Sequence, residues 1–311
     1  MILRLTLLFF LFISCNNEKK TFFGGKILNK TSDFISIYRN NVMIAESNID
    51  SVGVFNMSLD TIKSGLYSFY HEPEFQYIII DNNDNLQIRL NTLDFDESLV
   101  YTGIGSSKNN FLMDVFLRSE NDEIYINSKL DLDYKNFKNL VDSLYQKQAF
   151  YFNDFITYNK LSNTSKTIIK TATLYPYISK FHSYVIRNNS SLNDKNSLLL
   201  EYEDDISFET DALAYFKPYI DFLYLDIYNY VKNTKDYSST LDFNIQRLLY
   251  TDKILKSNLI KSRVLRFHAI GFLLQREDDL KNKKFLKSFF EISNNQDVNN
   301  EINSLYKSLK D

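Results

Sequence analysis

Three histidines, a single cysteine and two runs rich in carboxylates and amides are the residues of this 311-residue chain whose types could do chemistry. Cys15 is the only thiol, so the chain has no pair for a disulfide, a Cys-x-x-Cys redox couple or a cysteine-rich zinc site. His71, His182 and His268 are far apart and lack the His-Glu-x-x-His spacing that sets two ligands on one helix face. His71 and His268 are expected to be surface or capping residues. The run Asp81-Asn82-Asn83-Asp84-Asn85 places oxygens at the first, third and fifth positions of a calcium loop. Leu86 stands where such a loop needs glycine and Thr92 where it needs a bidentate glutamate, so a polar turn is expected. Glu201, Glu203, Asp204 and Asp205 form an acidic cluster that reads as a solvated loop. Gly103 and Gly105 make Gly-x-Gly without the third glycine or the lysine of a nucleotide loop, and read as a turn into a helix. On these residues no catalytic group, metal ligand set or cofactor is assigned, and the chain is not expected to be an enzyme.

Cys15 has a different chemistry available, set by what precedes it. Arg4 supplies one positive charge, residues 5–13 run through Leu and Phe, and Ser14 is a small residue at a cut site. That apolar run is too short to span a bilayer. Phe12-Ile13-Ser14-Cys15 resembles the lipobox of bacterial lipoproteins, which implies cleavage before Cys15 and lipidation of Cys15. Each acyl CH₂ buried in the membrane would contribute about 0.8 kcal/mol to retention. The expected partner is therefore the membrane, through lipid on Cys15. The expected location is the cell envelope, anchored in the outer membrane and facing the periplasm. Asn16 takes the place of the aspartate that retains many proteobacterial lipoproteins in the inner membrane.

The remaining composition describes folded material, with 44% hydrophobic and 24% charged residues. Net charge is -3, and losing Arg4 with the signal takes it to -4, so no field favours nucleic acid. Six of the seven glycines fall between Gly24 and Gly105, marking a change from turn-rich β structure to helix. The organisation read from this is a signal peptide over 1–14, a lipidated tether over 15–20, a β domain over 21–105 and a helical domain over 106–311.

Strands are expected at 22–28, 34–38, 42–46, 52–59, 66–71, 75–80, 86–90 and 99–101, each bounded by turn signals. Asn40-Asn41 is a tight hairpin candidate. Strands at this spacing predict an antiparallel β-sandwich or partly open barrel. Helices are expected from near Lys108, from Asp133, and over 165–187, 211–232, 241–257, 258–277, 284–292 and 297–310. Pro176 should kink or end the third, and Gln148 interrupts the apolar stripe of the second. The fold class is thus α+β in series: β-sandwich or barrel first, then a mostly α-helical domain. Tyrosines and phenylalanines recur near helical spacing at Tyr175, Tyr177, Phe181 and Tyr184, and again at Tyr215, Tyr219, Tyr224, Tyr228 and Tyr230. Core packing accounts for most of these, and an aromatic groove for a glycan or peptide is the alternative.

Five motifs occur in a recognisable order: Phe23-Gly24-Gly25-Lys26-Ile27, Val52-Gly53-Val54-Phe55, Gly65-Leu66-Tyr67, Asn83-Asp84-Asn85-Leu86 and Tyr101-Thr102-Gly103-Ile104-Gly105-Ser106. With residues 241–247 and 266–269, they resemble the N-terminal part of thioredoxin-like lipoproteins of Bacteroidota. In that family a β domain of unknown function and a helical region precede a TlpA-like thioredoxin domain. The resemblance implies a Cys-x-x-Cys domain beginning near Asp311, and this sequence holds no cysteine pair, so redox activity is not carried over. Three expectations follow. The first is a non-catalytic, lipid-anchored envelope protein acting as a spacer or as an interaction module for an envelope protein. The second is the non-catalytic half of a split thiol-disulfide oxidoreductase, partnered by a separately encoded thioredoxin domain. The third is a glycan- or peptide-binding lipoprotein.

Overall fold

The computed structural model describes residues 20–59, 62–188, 211–234 and 237–309. The signal peptide, Cys15, the acidic cluster at 201–205 and nearly all of the connections expected at 188–196 and 202–210 lie outside the described residues.

Eight strands form where the alternating runs predict them: β1 (Phe22–Leu28), β2 (Phe34–Arg39), β3 (Val42–Asn48), β4 (Val54–Ser58), β5 (Gly65–His71), β6 (Glu74–Ile80), β7 (Asn85–Asn91) and β8 (Val100–Ile104). They make two four-stranded sheets, ordered β4-β1-β7-β8 and β3-β2-β5-β6. Neither closes on itself, so the architecture is a sandwich and not a barrel. All pairings are antiparallel except β1 with β7. Gly25 permits that parallel contact, because a Cβ there would lie 2.2 Å from the Ile88 carbonyl oxygen. Asn40 and Asn41 both take left-handed φ values, 52° and 62°, and close the β2–β3 hairpin in two residues. Period-two side chains fill the space between the sheets: Phe23 and Ile27 of β1, Phe69 of β5, Ile78 and Ile80 of β6, and Leu86, Ile88 and Leu90 of β7.

A single helical turn (Phe95–Ser98) precedes β8, and among the described residues eight long helices follow it. They are α1 (Ser106–Asn127), α2 (Tyr134–Tyr158), α3 (Asn163–Asn188), α4 (Lys217–Thr234), α5 (Thr240–Ile254), α6 (Asn258–Leu273), α7 (Asp279–Ile292) and α8 (Gln296–Ser308). Side-chain caps set six of their starts. Asp133, Ser162, Ser239, Ser257, Asp278 and Asn295 each accept a hydrogen bond from the backbone N–H three residues on. Asp278 starts α7 five residues before the first residue expected from the apolar pattern.

Pro176 lies inside α3, which continues through it to Asn188. The ring deletes one intrahelical donor, but buried residues on both sides, Ala172, Leu174, Tyr175, Tyr177 and Ile178, hold the helix together by packing. Pro218 falls at the second residue of α4, where an N–H has no helical acceptor to lose.

Helix α1 joins the two halves. Met113 packs into the sandwich core, whereas Leu112 and Val115 belong to the helical core. On the sheet side, Leu66 and Ile79 point outward and also belong to the helical core. Two consecutive asparagines of α1 then cover open edges of both sheets. Asn109 accepts from the Ile79 N–H at 2.7 Å and donates to the Ile79 carbonyl at 2.8 Å, on edge strand β6. Asn110 does the same for Tyr101 on edge strand β8, at 2.8 Å for each bond. Each amide thus stands in for a missing neighbouring strand. Helices α5 to α8 enclose a separate core around Leu248, Leu265, Phe272, Phe285, Phe289 and Ile302.

Candidate functional site

The turn weighed as a calcium loop is tied up internally. Lys108, in the first turn of α1 and only 4% exposed, places its Nζ 2.6 Å from Asp84 Oδ2 and 2.8 Å from Asp81 Oδ2. Asp81 also accepts from Ser162 Oγ at 3.0 Å and Ser165 Oγ at 2.8 Å, and Asp84 accepts from the Asp81 N–H at 2.7 Å. Burial pushes the Asp84 carboxyl up against the pull of Lys108; at Asp81 burial also acts upward, but Lys108 and the two hydroxyls outweigh it and lower the carboxyl. Gly105, at φ 92°, lets the chain turn from β8 into α1 against this cluster, since a Cβ would meet the Asp84 carboxylate at 2.4 Å. The polar turn is therefore a joint between the sandwich, α1 and the start of α3.

The histidines have no partner in common among the described residues. Expected at the surface or as caps, His71 and His268 are both buried, 1% exposed each. His71 accepts from the Thr31 N–H at Nε2 and donates from Nδ1 to the Phe34 carbonyl, so it does fasten a turn, but from inside. His268 sits beside the rings of Tyr224 and Phe267, with neither nitrogen bonded among the described residues. Burial and nearby Arg247 drive its proton affinity well down, which keeps it neutral. His182 of α3 takes a hydrogen bond from Asn229 of α4 at 2.9 Å, and its Nε2 lies 3.9 Å from Asp226 Oδ1, too far for a bond. Burial raises Asp226 to about 7 and lowers His182 to about 4. No group of three or more His, Cys, Asp or Glu side chains among the described residues is placed to hold a metal ion, and no described helix is long and apolar enough to cross a membrane.

The aromatic groups divide. Tyr175, Tyr177, Phe181, Tyr184 and Tyr219 are core, and Gln148 is buried among them because Asp122 accepts from both its amide and the Tyr177 hydroxyl. Tyr224 is half-buried and borders a cleft of about 650 Å³ between β6, α1, α3 and α4. Each helix gives this cleft one face at helical spacing: Phe116, Ser119, Glu120 and Glu123 from α1, then Pro176, Ser179, Lys180 and Ser183 from α3. From α4 come Lys217, Pro218, Asp221, Tyr224 and Leu225, and from the sheet Phe75, Gln76 and Tyr77.

The walls are held rigidly. The Tyr77 hydroxyl donates to the Tyr215 carbonyl and accepts from the Lys217 N–H, both at 3.2 Å, while its ring meets Phe216 edge-on at 5.1 Å. Tyr224 stacks on Phe267 at 3.9 Å. At the rim, Lys180 pairs with Glu123 and Lys217 with Asp221. Asp96 accepts from the Gln76 amide at 2.9 Å. Ser179 Oγ, in a residue 9% exposed, has no hydrogen-bond partner among the described residues. Such a surface, apolar in its walls with a few convergent polar groups, suits a ligand or a partner segment.

Compared with family models, with curated proteins and with solved structures, the chain matches none.

Sequence reasoning singles out Tyr224 but misses Phe75, Tyr77, Phe116, Ser179 and Glu120. The one signal available was the pair Pro176 and Pro218, since two prolines placed at helices of an otherwise proline-poor chain both border this cleft.

Proposed function

We propose that this is a non-catalytic, lipid-anchored cell-envelope protein that acts as an interaction module, with the cleft between β6 and α1, α3 and α4 as its working surface. The observation that carries the reading is the cleft itself: aromatic walls fixed by second contacts, and polar groups left over at its floor and rim. Pre-set walls lower the ordering cost of binding. Anchoring is supported by Phe12-Ile13-Ser14-Cys15 and by the position of β1. From Cys15 to Phe22 is seven residues, a reach of about 25 Å at full extension, so an anchored Cys15 would keep the sandwich next to the membrane.

Two arms test this in cells. Replacing Cys15→Ser should abolish incorporation of labelled palmitate and release the protein from the membrane fraction. A photo-reactive residue at Glu123 in the cleft should give a discrete adduct with an envelope component, while one at Phe150, exposed on α2, should not. Unchanged fractionation of the Cys15 variant refutes the anchor, and equal or absent adducts at the two positions refute the cleft as working surface.

A further inference from the structure

We propose that the cleft takes an extended basic peptide segment, which adds to the sheet β3-β2-β5-β6 as a short fifth strand along Phe75–Tyr77. The proposal rests on the reading of the cleft as the working surface and names what fills it.

Among the described residues, strand β6 is the last of its sheet, bonded to β5 on one side only. In a strand, the N–H and carbonyl of one residue point to the same side, and successive residues alternate. Ile79 turns both groups away from β5, toward Asn109. Tyr77 and Phe75, two and four residues earlier, therefore turn theirs toward the same open edge. There the asparagine cover has ended. The Tyr77 N–H is held by the Gln76 side chain, Oε1 at 2.8 Å, and Gln76 is in turn held by Asp96. That amide occupies the place of an incoming carbonyl; Gln76 is buried, so an entering strand takes the Tyr77 N–H by displacing it. Phe75 is exposed, and both residues line the cleft. A peptide laid there meets edge groups at the spacing of its own backbone, the mode by which strand addition gives affinity.

Its side chains would alternate between two surroundings. One set faces Phe75, Tyr77, Phe116 and Tyr224, with the unpartnered hydroxyl of Ser179 in the floor. The other faces a rim whose charge is unbalanced. Four carboxylates, Asp96, Glu120, Glu123 and Asp221, stand against two lysines, and both lysines are already paired, with Glu123 and with Asp221. Among the described residues Glu120 has no hydrogen bond or ion pair, and Asp96 holds only an amide. The leftover negative charge selects Lys or Arg in the occupant. An oligosaccharide could stack on the same rings, but it lacks the regular alternation of donor and acceptor that an open strand edge matches.

The test uses the full chain, purified in detergent, against a displayed library of random octapeptides. Enriched sequences are then synthesised and followed by fluorescence anisotropy. The expected result is enrichment of Lys or Arg alternating with apolar residues. Binding should weaken at least tenfold in Glu120→Lys, a solvent-exposed change, and at least tenfold when alternate peptide nitrogens are methylated in the edge-facing register. Enrichment of acidic or neutral sequences, or indifference to methylation in both registers, overturns the proposal. So does a library that yields nothing while a tetramer of N-acetylglucosamine binds; that outcome leaves the cleft standing as the working surface and replaces its occupant.

Discussion

Substituting Lys108→Met removes the one cation from a buried cluster and keeps an unbranched side chain of similar length. Its Nζ lies 2.6 and 2.8 Å from two carboxylates, Asp84 and Asp81, in residues 5% exposed and half-buried respectively. Without the ammonium those carboxylates face each other across a dry joint, with only Ser162, Ser165 and the Asp81 N–H as donors. Removing one partner of a buried pair typically costs about 3–5 kcal/mol, mostly the penalty of the stranded charge. At about 2 °C per kcal/mol for a chain of this length, the midpoint of thermal unfolding should fall by about 6–10 °C. Urea titration followed by far-ultraviolet circular dichroism measures the same loss as a drop in midpoint at unchanged slope. The triple variant Lys108→Met, Asp81→Asn, Asp84→Asn should recover most of it, because no unpaired charge is left behind. A loss under about 1 kcal/mol in the single variant would show that water solvates the carboxylates and that the joint is not the dry cluster argued above.

Asn109→Ala leaves the Ile79 N–H and carbonyl without partners, which should cost about 2–4 kcal/mol; a change below about 0.5 kcal/mol by denaturant titration would mean the edge is satisfied by water. Asp226 gives a pH dependence with a definite sign. Burial raises it from 3.8 in the unfolded chain to about 7, so the folded state holds the extra proton, and this contribution is full below pH 4 and lost as pH rises through 7. Moving the carboxyl from 3.8 to about 7 corresponds to at most about 4 kcal/mol. Asp226→Asn should therefore gain stability relative to the parent as pH rises from 5 to 8, measured by thermal melts; a difference that stays constant with pH refutes the assignment. His182, lowered to about 4, acts oppositely between pH 4 and 6.5.

Most of the fold was legible because its signals are local. Alternation in residues 35–38 and the pair Asn40-Asn41 specify a strand and its turn within ten residues, and Asp133 states a helix start in one. The cleft was not legible, since Phe75, Phe116, Ser179 and Asp221 come from four elements and meet only through tertiary packing. Lys108 and Asn109 read as ordinary polar residues opening a helix, and nothing beside them announces that α1 docks that end against two sheets. His71 and His268 were misplaced for the same reason: each was read from one charged residue near it, Glu72 and Arg266, whereas burial is imposed by residues elsewhere in the chain. Pro176 shows the converse, a strong local breaker overruled by the packing around it.

The position of α1 in two cores at once decides how the molecule can be taken apart. Cutting at the glycine-rich turn before Ser106 would strip Met113 from the sandwich interior and leave Leu66 and Ile79 bare on the outer face of a sheet. It would also unroof Ile79 and Tyr101, whose main-chain groups depend on the two asparagines. A recombinant fragment stopping there would be a sticky remnant and not a working half. The shortest piece worth expressing from the front of the chain is one that carries the sandwich together with the first helix beyond it.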